Sequence, residues 1–183
     1  MRAADISDDI SEVLLTEEQI HDKLAALAQQ VVADYSGKDV VLVGVLKGAV
    51  MVMADFARHL PIHLTMDWMA VSSYGASTRS SGVVQIRKDL DTDITGKHVL
   101  IVEDIIDSGL TLSWLLENFA SRGAASVEVL ALLRKPDAMK VEVDCRYVGF
   151  DIPNDFVIGY GLDYAEKYRN LRDVAVLAPH VYS

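Results

Sequence analysis

Short apolar runs alternate along the chain with segments of helical periodicity. Residues 40–46 (VVLVGVL) and 98–102 (HVLIV) are almost wholly apolar, which is typical of strands buried on both faces of a parallel sheet. Residues 126–133 predict a third such strand, and shorter strands are predicted at 146–150 and 156–160. These runs indicate a sheet whose central strands lie between two covering layers.

Three segments between the runs have the pattern of helices. The first begins at Thr16, where Thr16 and Gln19 match the capping-box pattern, and it ends before Gly37. Two more helices are predicted at residues 48–59 and 110–121. The alternation of strand and helix predicts a doubly wound α/β fold with a mostly parallel sheet. The inward face of the first helix is marked by apolar residues at helical spacing: Ile20, Leu24, Leu27 and Val31.

Between these elements the pattern is weaker. Residues 62–68 alternate, which predicts a half-buried strand with Ile62, Leu64, Met66 and Trp68 on its apolar side. Residues 72–82 (SSYGASTRSSG) predict a loop, and a loop of that length in a compact domain is usually functional or disordered. A short strand follows at residues 83–86.

The two ends of the chain do not fit the alternation. We therefore expect residues 1–183 to form one domain, with a small hood over the sheet built from about 1–15 and 150–183. The acidic residues 1–15 are predicted to be loose where they begin. With 51% apolar and 24% charged residues, the composition is that of an ordinary folded domain.

Charge and composition exclude several classes of function. The formal net charge of -10 opposes non-specific binding to nucleic acid, because phosphate backbones attract basic surfaces. The single cysteine, Cys145, cannot form an internal disulfide. No apolar run reaches the roughly 18 residues of a spanning helix, and the first residues lack the order of a signal peptide. We expect a cytoplasmic protein without a membrane or nucleic-acid partner.

The strongest chemical signal is the segment VLIVEDIIDSGLT at residues 99–111. Glu103 and Asp104 follow a buried strand, at the edge where open α/β sheets bind ligands. Residues 107–109 (DSG) predict a tight turn into a helix, whose free N–H groups suit a phosphate. Adjacent carboxylates suit the vicinal hydroxyls of a sugar, or Mg²⁺. These features favour a sugar phosphate as ligand; the alternative is an acidic loop in which Asp107 caps the helix.

This segment resembles the phosphoribosyl-pyrophosphate (PRPP) motif of type I phosphoribosyltransferases. Within it, the sequence EDIIDSG is similar to that of the 6-oxopurine branch, the hypoxanthine(-guanine) phosphoribosyltransferases. The resemblance extends over about residues 13–178, and four motifs agree in their order. It implies transfer of a phosphoribosyl group from PRPP to hypoxanthine or guanine, with Mg²⁺ as cofactor, in a homo-oligomer (dimer or tetramer).

The resemblance assigns a role to each matching residue of the PRPP motif. Glu103 and Asp104 would hold the ribose hydroxyls and Mg²⁺, and Asp107 would be the general base or acid at purine N7. Leu110 occupies a variable position of the motif, where little depends on the side chain. The 5′-phosphate would be bound by the turn and first helical residues: Asp107, Ser108, Gly109, Leu110 and Thr111.

Two further motifs are assigned in the same way. In VLKGA (residues 45–49), Lys47 and Gly48 would bind pyrophosphate, and the peptide between residues 46 and 47 is often cis in that family; alone, the motif is an ordinary strand–helix turn with a surface lysine. Ser73 and Tyr74 open the loop that would close over the site, although such a loop is by itself more often simply mobile.

The last motif lies within residues 133–169. By resemblance Lys135 donates to the O6 of the purine, while Phe156 and Val157 stack on the base and contact its edge. Without the resemblance, Lys135 is a solvated lysine and Phe156 a core residue. Asp163 would hold a second Mg²⁺, and Arg169 would bind pyrophosphate.

Two competing functions remain open from the residues. A PRPP-sensing regulator that binds RNA has the same motif, but the acidic net charge and the full set of purine contacts oppose it. An enzyme of the same fold acting on xanthine, orotate or adenine is the other. Lys135 and EDIIDSG favour 6-oxopurines over adenine and orotate, while xanthine stays possible. The sequence does not rank guanine against hypoxanthine.

Overall fold

The computed structural model describes residues 1–73 and 84–182. The strands, in chain order, are β1 (Ile10–Leu15), β2 (Val40–Leu46), β3 (Thr65–Ser73), β4 (Val84–Lys88), β5 (His98–Ile106), β6 (Ser126–Arg134), β7 (Tyr147–Asp151), β8 (Val157–Ile158) and β9 (Val174–Leu177). The helices are α1 (Glu17–Tyr35), α2 (Val50–Arg58), α3 (Leu110–Ser121) and α4 (Pro179–Tyr182), with short 3-10 helices at Ala3–Asp9 and Pro136–Ala138.

Six strands form the central sheet in the order β4-β3-β2-β5-β6-β7. All neighbours are parallel except β3 and β4, which are antiparallel. Alternate residues of β2 and β5 face opposite layers: Leu42 and Leu100 pack with α1 and α2, whereas Val43 and Ile101 pack with α3. Helices on both faces explain why these strands are apolar throughout. The predicted doubly wound fold is confirmed.

The two ends of the chain meet in a second, three-stranded sheet with the order β1-β9-β8. Both pairings are antiparallel, and β1 pairs with β9 from Ile10 opposite Leu177 to Leu15 opposite Val174. A small apolar cluster under this sheet contains Ile158, Leu171 and Ala175. The expectation that residues 1–15 begin as a loose segment is wrong, because they form a 3-10 helix and a paired strand.

The predicted strand at residues 62–68 is displaced and its phase is inverted. The observed β3 begins at Thr65, and Met66 is 43% exposed while Asp67 is only 5% exposed. A carboxylate occupies this inward position because backbone N–H groups of Asp91 and Thr92 donate to it at 2.9 and 2.8 Å. The strand also continues through Ser73, opposite Val84, so the loop begins later than residue 72.

Other element ends differ from the predictions by a few residues. Strand β5 continues to Ile106, beyond the predicted end at residue 102, because its pairing with β6 continues to Arg134. Glu103 and Asp104 therefore lie within the strand rather than after it. Strand β8 is limited to two residues, since the chain turns at Tyr160, where φ is 48°. The first helix begins after Thr16, and the predicted capping box is present.

Candidate active site

Two acidic side chains lie near the carboxyl end of the central strand β5. Glu103 is 8% exposed, and Asp104 is partly buried, with its Oδ1 accepting the N–H of Ile105 at 2.8 Å. Burial raises the pKa of Glu103 well above its usual value, and the charge of Asp104 adds to the effect. Burial likewise raises the pKa of Asp104 to about 6. At Asp104 the charge of the Arg169 guanidinium opposes this rise in pKa, and the charge of Asp163 adds to it.

The turn after β5 leads directly into α3. Gly109 is the residue that precedes the helix; its φ is 78°, and no side chain caps the helix. The alternative that Asp107 is a helix cap is therefore wrong, and Asp107 is exposed. A cavity of about 120 Å³ opens here, with Asp107, Ser108, Gly109 and Thr111 among its lining residues together with Glu103.

The segment after β6 forms hydrogen bonds with the backbone of this turn. The carbonyl of Ser108 accepts N–H groups from Lys140 and Val141, at 3.0 and 3.3 Å. A side chain at Gly109 would collide with the carbonyl of Val141. Glycine is thus required here for both its left-handed conformation and the close approach of the backbone. The result is a fixed turn in front of the first N–H groups of α3.

The loop between β2 and α2 approaches the same carboxylates. The Leu46–Lys47 peptide is cis, and a Cβ at Gly48 would overlap the carboxylate of Asp104. Lys47 does project from the surface, where its Nζ donates to Glu166 Oε2 at 2.8 Å. The structure thus brings the Lys47–Gly48 motif against Asp104, although the two are far apart in sequence.

Arg169 and Asp163 form an ion pair on the other side of this loop. The Arg169 guanidinium lies 2.7 Å from Asp163 Oδ1, and its Nη1 donates to the carbonyl of Gly161 at 2.8 Å. Its Nε is buried and has no hydrogen-bond partner among the described residues. Asp163 is therefore paired with an arginine, and both side chains lie near enough to Asp104 to influence its pKa.

Lys135 lies beside the end of β5. Its backbone N–H donates to the carbonyl of Ile106 at 2.9 Å, and the residue is only 8% exposed. The interpretation of Lys135 as an ordinary solvated lysine is therefore wrong. Within the described ranges, its ammonium forms no hydrogen bond or ion pair. The largely covered Lys135 side chain can donate to a ligand bound beside the end of β5.

Phe156 is 42% exposed, so the alternative that it is a core residue is wrong. Its ring stacks on Tyr182, with centroids 5.3 Å apart and an interplanar angle of 27°. Tyr164 meets Phe156 edge-on, with centroids 5.7 Å apart. Val157 is buried in β8. Sequence reasoning missed Tyr164 and Tyr182, because contacts between such distant positions leave no local pattern.

The remaining predicted site residues are Leu110, Ser73 and Tyr74. Leu110 begins α3, where its backbone rather than its side chain matters for an anion. Ser73 is the last residue of β3. Tyr74 and most of the predicted loop lie outside the described residues.

Comparison with known proteins adds an independent line of observation. The phosphoribosyl transferase domain family matches residues 12–165. The hypoxanthine-guanine phosphoribosyltransferase of Mycobacterium tuberculosis (strain ATCC 25618 / H37Rv) is 57% identical over 180 residues, covering 95% of this chain and 89% of that protein. The protein of the same name from Bacillus subtilis (strain 168) is 51% identical over 174 residues, covering 95% of this chain and 97% of the other.

A solved structure agrees with these relatives. The crystal structure of a hypoxanthine phosphoribosyltransferase from Staphylococcus aureus superimposes with a TM-score of 0.95 at 48% identity, covering 97% of each chain. The chain therefore belongs to the phosphoribosyl transferase domain family, among the type I hypoxanthine-guanine phosphoribosyltransferases.

Proposed function

We propose that this enzyme transfers the 5-phosphoribosyl group of PRPP to hypoxanthine or guanine, which yields IMP or GMP and pyrophosphate and so salvages purines. The observation that carries the proposal is the hydrogen bond from Lys135 N to Ile106 O. It holds the backbone of the largely covered Lys135 next to the strand that bears Glu103 and Asp104 and leads into the phosphate turn. A base, a ribose and a phosphate then have adjacent sites along one sheet edge.

The reaction exchanges one bond at the ribose C1′ for another. Purine N9 attacks C1′ while the bond from C1′ to the pyrophosphate oxygen breaks, and the purine loses its N7 proton. Asp107 is exposed at the edge of the cavity and accepts this proton as the general base. The leaving pyrophosphate takes the electron pair of the broken bond.

The turn into α3 binds the 5′-phosphate of the ribose. Its donors are the N–H groups at the start of the helix, including that of Leu110, and the hydroxyls of Ser108 and Thr111. Glu103 and Asp104 lie in β5, where two residues separate Asp104 from this turn, and they accept hydrogen bonds from the ribose hydroxyls.

The residues present fit a Mg²⁺ ion. Glu103 and Asp104 are oxygen donors whose pKa values are raised by burial, and a bound cation would offset the cost of their charged forms. The described residues contain no preassembled group of three or more ligating side chains, which suits an ion held partly by substrate oxygens. Bound there, Mg²⁺ would supply positive charge to neutralise the pyrophosphate leaving group. Asp163, which is paired with Arg169 in the structure, would hold a second Mg²⁺.

Pyrophosphate is held by Lys47, by the backbone at Gly48 and by Arg169, whose Nε donor is unused in the described chain. At the base, Lys135 donates to O6, and because an ammonium has no acceptor it disfavours a 6-amino group. Phe156 stacks on the purine and Val157 contacts its edge. The loop that opens with Ser73 and Tyr74 closes over the site and excludes water.

The proposal extends to the form of the protein in the cell. No helix within residues 1–73 and 84–182 is long and apolar enough to cross a bilayer. We place the enzyme in the cytoplasm, as a homo-oligomer of two or four copies. Residues 1–183 act as one domain, with the ends of the chain (about 1–15 and 150–183) forming the hood over the site.

The site assignment is tested by calorimetric titration of PRPP with and without Mg²⁺. Wild type binds PRPP tightly only with Mg²⁺, and Asp104→Asn loses most of that metal-dependent gain. Glu117→Gln, which removes an exposed charge from α3, serves as the matched control and binds as wild type does. PRPP affinity that is insensitive to both Mg²⁺ and Asp104→Asn contradicts the assignment.

A further inference from the structure

A buried tyrosine ties the turn after β8 to helix α2. The hydroxyl of Tyr160 donates to the Asp55 carboxylate at 2.5 Å, and Tyr160 is 5% exposed. Asp55 also lies 3.8 Å from His21 Nε2 and 3.6 Å from Arg58. Those two longer contacts come from α1 and α2 themselves. Of these partners, only Tyr160 connects Asp55 to the turn.

The backbone around Tyr160 is unusual. Gly159, Tyr160 and Gly161 have φ values of 94°, 48° and 104°, so three successive residues are left-handed. A Cβ at Gly159 or Gly161 would collide with the carbonyl of Asp173 or of Gly48. The middle position alone accommodates a side chain, and a non-glycine residue there is strained. The residue in this strained conformation is Tyr160, whose side chain reaches Asp55.

This turn lies between two parts of the proposed pyrophosphate site. On one side Gly161 abuts the carbonyl of Gly48, two residues before α2 begins. On the other side Gly161 N donates to the carbonyl of Arg169 at 3.0 Å, and Arg169 Nη1 donates to the carbonyl of Gly161 at 2.8 Å. A shift of the turn would therefore change the spacing between the Lys47–Gly48 loop and the guanidinium.

We infer that the Tyr160–Asp55 hydrogen bond is a positioning contact for pyrophosphate and PRPP. It holds α2, and the loop before α2, at a fixed distance from Arg169. Tyr160 itself lies behind the binding groups and acts through Gly161. The inference rests on the proposed role of Lys47, Gly48 and Arg169.

The test is Tyr160→Phe, which removes only the hydroxyl. Loss of a hydrogen bond to a charged group should raise the KM for PRPP and the Kd for pyrophosphate about tenfold. The KM for hypoxanthine and kcat should change about twofold or less. Tyr147→Phe is the matched control: the Tyr147 hydroxyl also donates to a carboxylate, Asp34, at 2.6 Å, but between β7 and α1. It should lower the melting temperature without changing PRPP affinity.

The partner residue gives a second, independent test. Asp55→Asn keeps an oxygen acceptor for Tyr160 and should retain most of the PRPP affinity, whereas Asp55→Ala should match Tyr160→Phe. Combining Asp55→Ala with Tyr160→Phe should add little, because both remove the same contact. If wild type turns over PRPP but Tyr160→Phe changes its KM no more than Tyr147→Phe does, the inference is wrong and the proposed function stands. Absence of turnover in wild type refutes the proposed function, and the inference with it.

Discussion

At the scale of single residues, Asp107 carries the proposed proton transfer. Asp107→Asn keeps the size of the side chain and removes its capacity to accept a proton. We expect kcat to fall about 10²–10⁴-fold, the range typical of general acid–base catalysis, with little change in PRPP affinity. The melting temperature should stay close to that of wild type, because Gly109 rather than Asp107 precedes the helix. Steady-state kinetics with a near-normal kcat would refute the role.

Lys135 is the residue proposed to select the base. Lys135→Ala should raise the KM for hypoxanthine and guanine far more than it changes PRPP affinity, because the ammonium is proposed to donate to O6 of the base and not to PRPP. Lys140→Ala removes an exposed lysine from the same segment and is the control. Equal losses of purine and PRPP affinity in Lys135→Ala would mean that the lysine is structural.

Asp67 is expected to make the stability of the fold depend on pH in the acidic range. Burial alone would raise its pKa, but N–H groups of Thr92, Trp68 and Asp91 and the Thr92 hydroxyl outweigh burial, so the pKa is lowered from 3.8. A carboxyl group with a lowered folded pKa stabilises the fold above its unfolded pKa and loses that contribution as pH falls through the folded pKa. Wild type should therefore lose stability below about pH 4.

Replacement of Asp67 isolates this contribution. Asp67→Asn should melt at a lower temperature than wild type at pH 7, and the difference should shrink as the pH falls below 4. The exposed Asp144, changed to Asn, should show neither effect. A constant difference between wild type and Asp67→Asn from pH 7 to pH 3 would contradict this assignment of the pKa.

At the scale of elements, the sequence predicted best the strands buried on both faces. β2 and β5 are apolar because helices cover both sides, and local composition is enough to find them. The alternation predicted the wrong inward face for β3. A carboxylate such as Asp67 is normally exposed, and only the structure shows the backbone N–H groups that allow it to be buried. β1 and β9 were missed because each is short and is stabilised by a partner at the opposite end of the chain.

The candidate site, like the fold, could be predicted from the sequence only in part. The motif residues could be assigned from their order along the chain, since a strand end, a turn and a helix start are local features. The Asp163–Arg169 ion pair, the stack of Phe156 on Tyr182 and the Tyr160–Asp55 bond could not. They depend on how β8, α2 and α4 pack together, which no local pattern records.

The loop between β2 and α2 provides an element-scale prediction. Gly48→Ala places a methyl group on the Asp104 carboxylate, so the loop or the carboxylate must move. A displacement of about 1 Å at an active site can lower activity about 10²-fold, and we expect a loss of that order in kcat/KM for PRPP. Gly96→Ala, whose added Cβ meets open space at a φ of 72°, should lower stability only. Full activity in Gly48→Ala would show that the close contact is dispensable.

At the scale of the whole molecule, an acidic protein must bind a highly anionic substrate. The net charge of -10 is offset locally by cationic side chains at the site, among them Lys47, Lys135 and Arg169. The carboxylates of Glu103 and Asp104 lie beside them, so we expect the anionic substrate to bind well only in the presence of a divalent cation. Activity should disappear on addition of EDTA and return with excess Mg²⁺, with the circular dichroism spectrum unchanged throughout. Full turnover in metal-free buffer would contradict the magnesium requirement.

The most direct single measurement is PRPP-dependent nucleotide formation with hypoxanthine, guanine, xanthine and adenine assayed side by side in Mg²⁺ buffer. Hypoxanthine and guanine should give IMP and GMP, with one pyrophosphate released for each nucleotide, and adenine should react poorly because Lys135 can only donate. The rate with xanthine decides whether a 2-oxo group is accepted. Preferential use of adenine, or no pyrophosphate release with either hypoxanthine or guanine, would contradict the proposed transfer to 6-oxopurines.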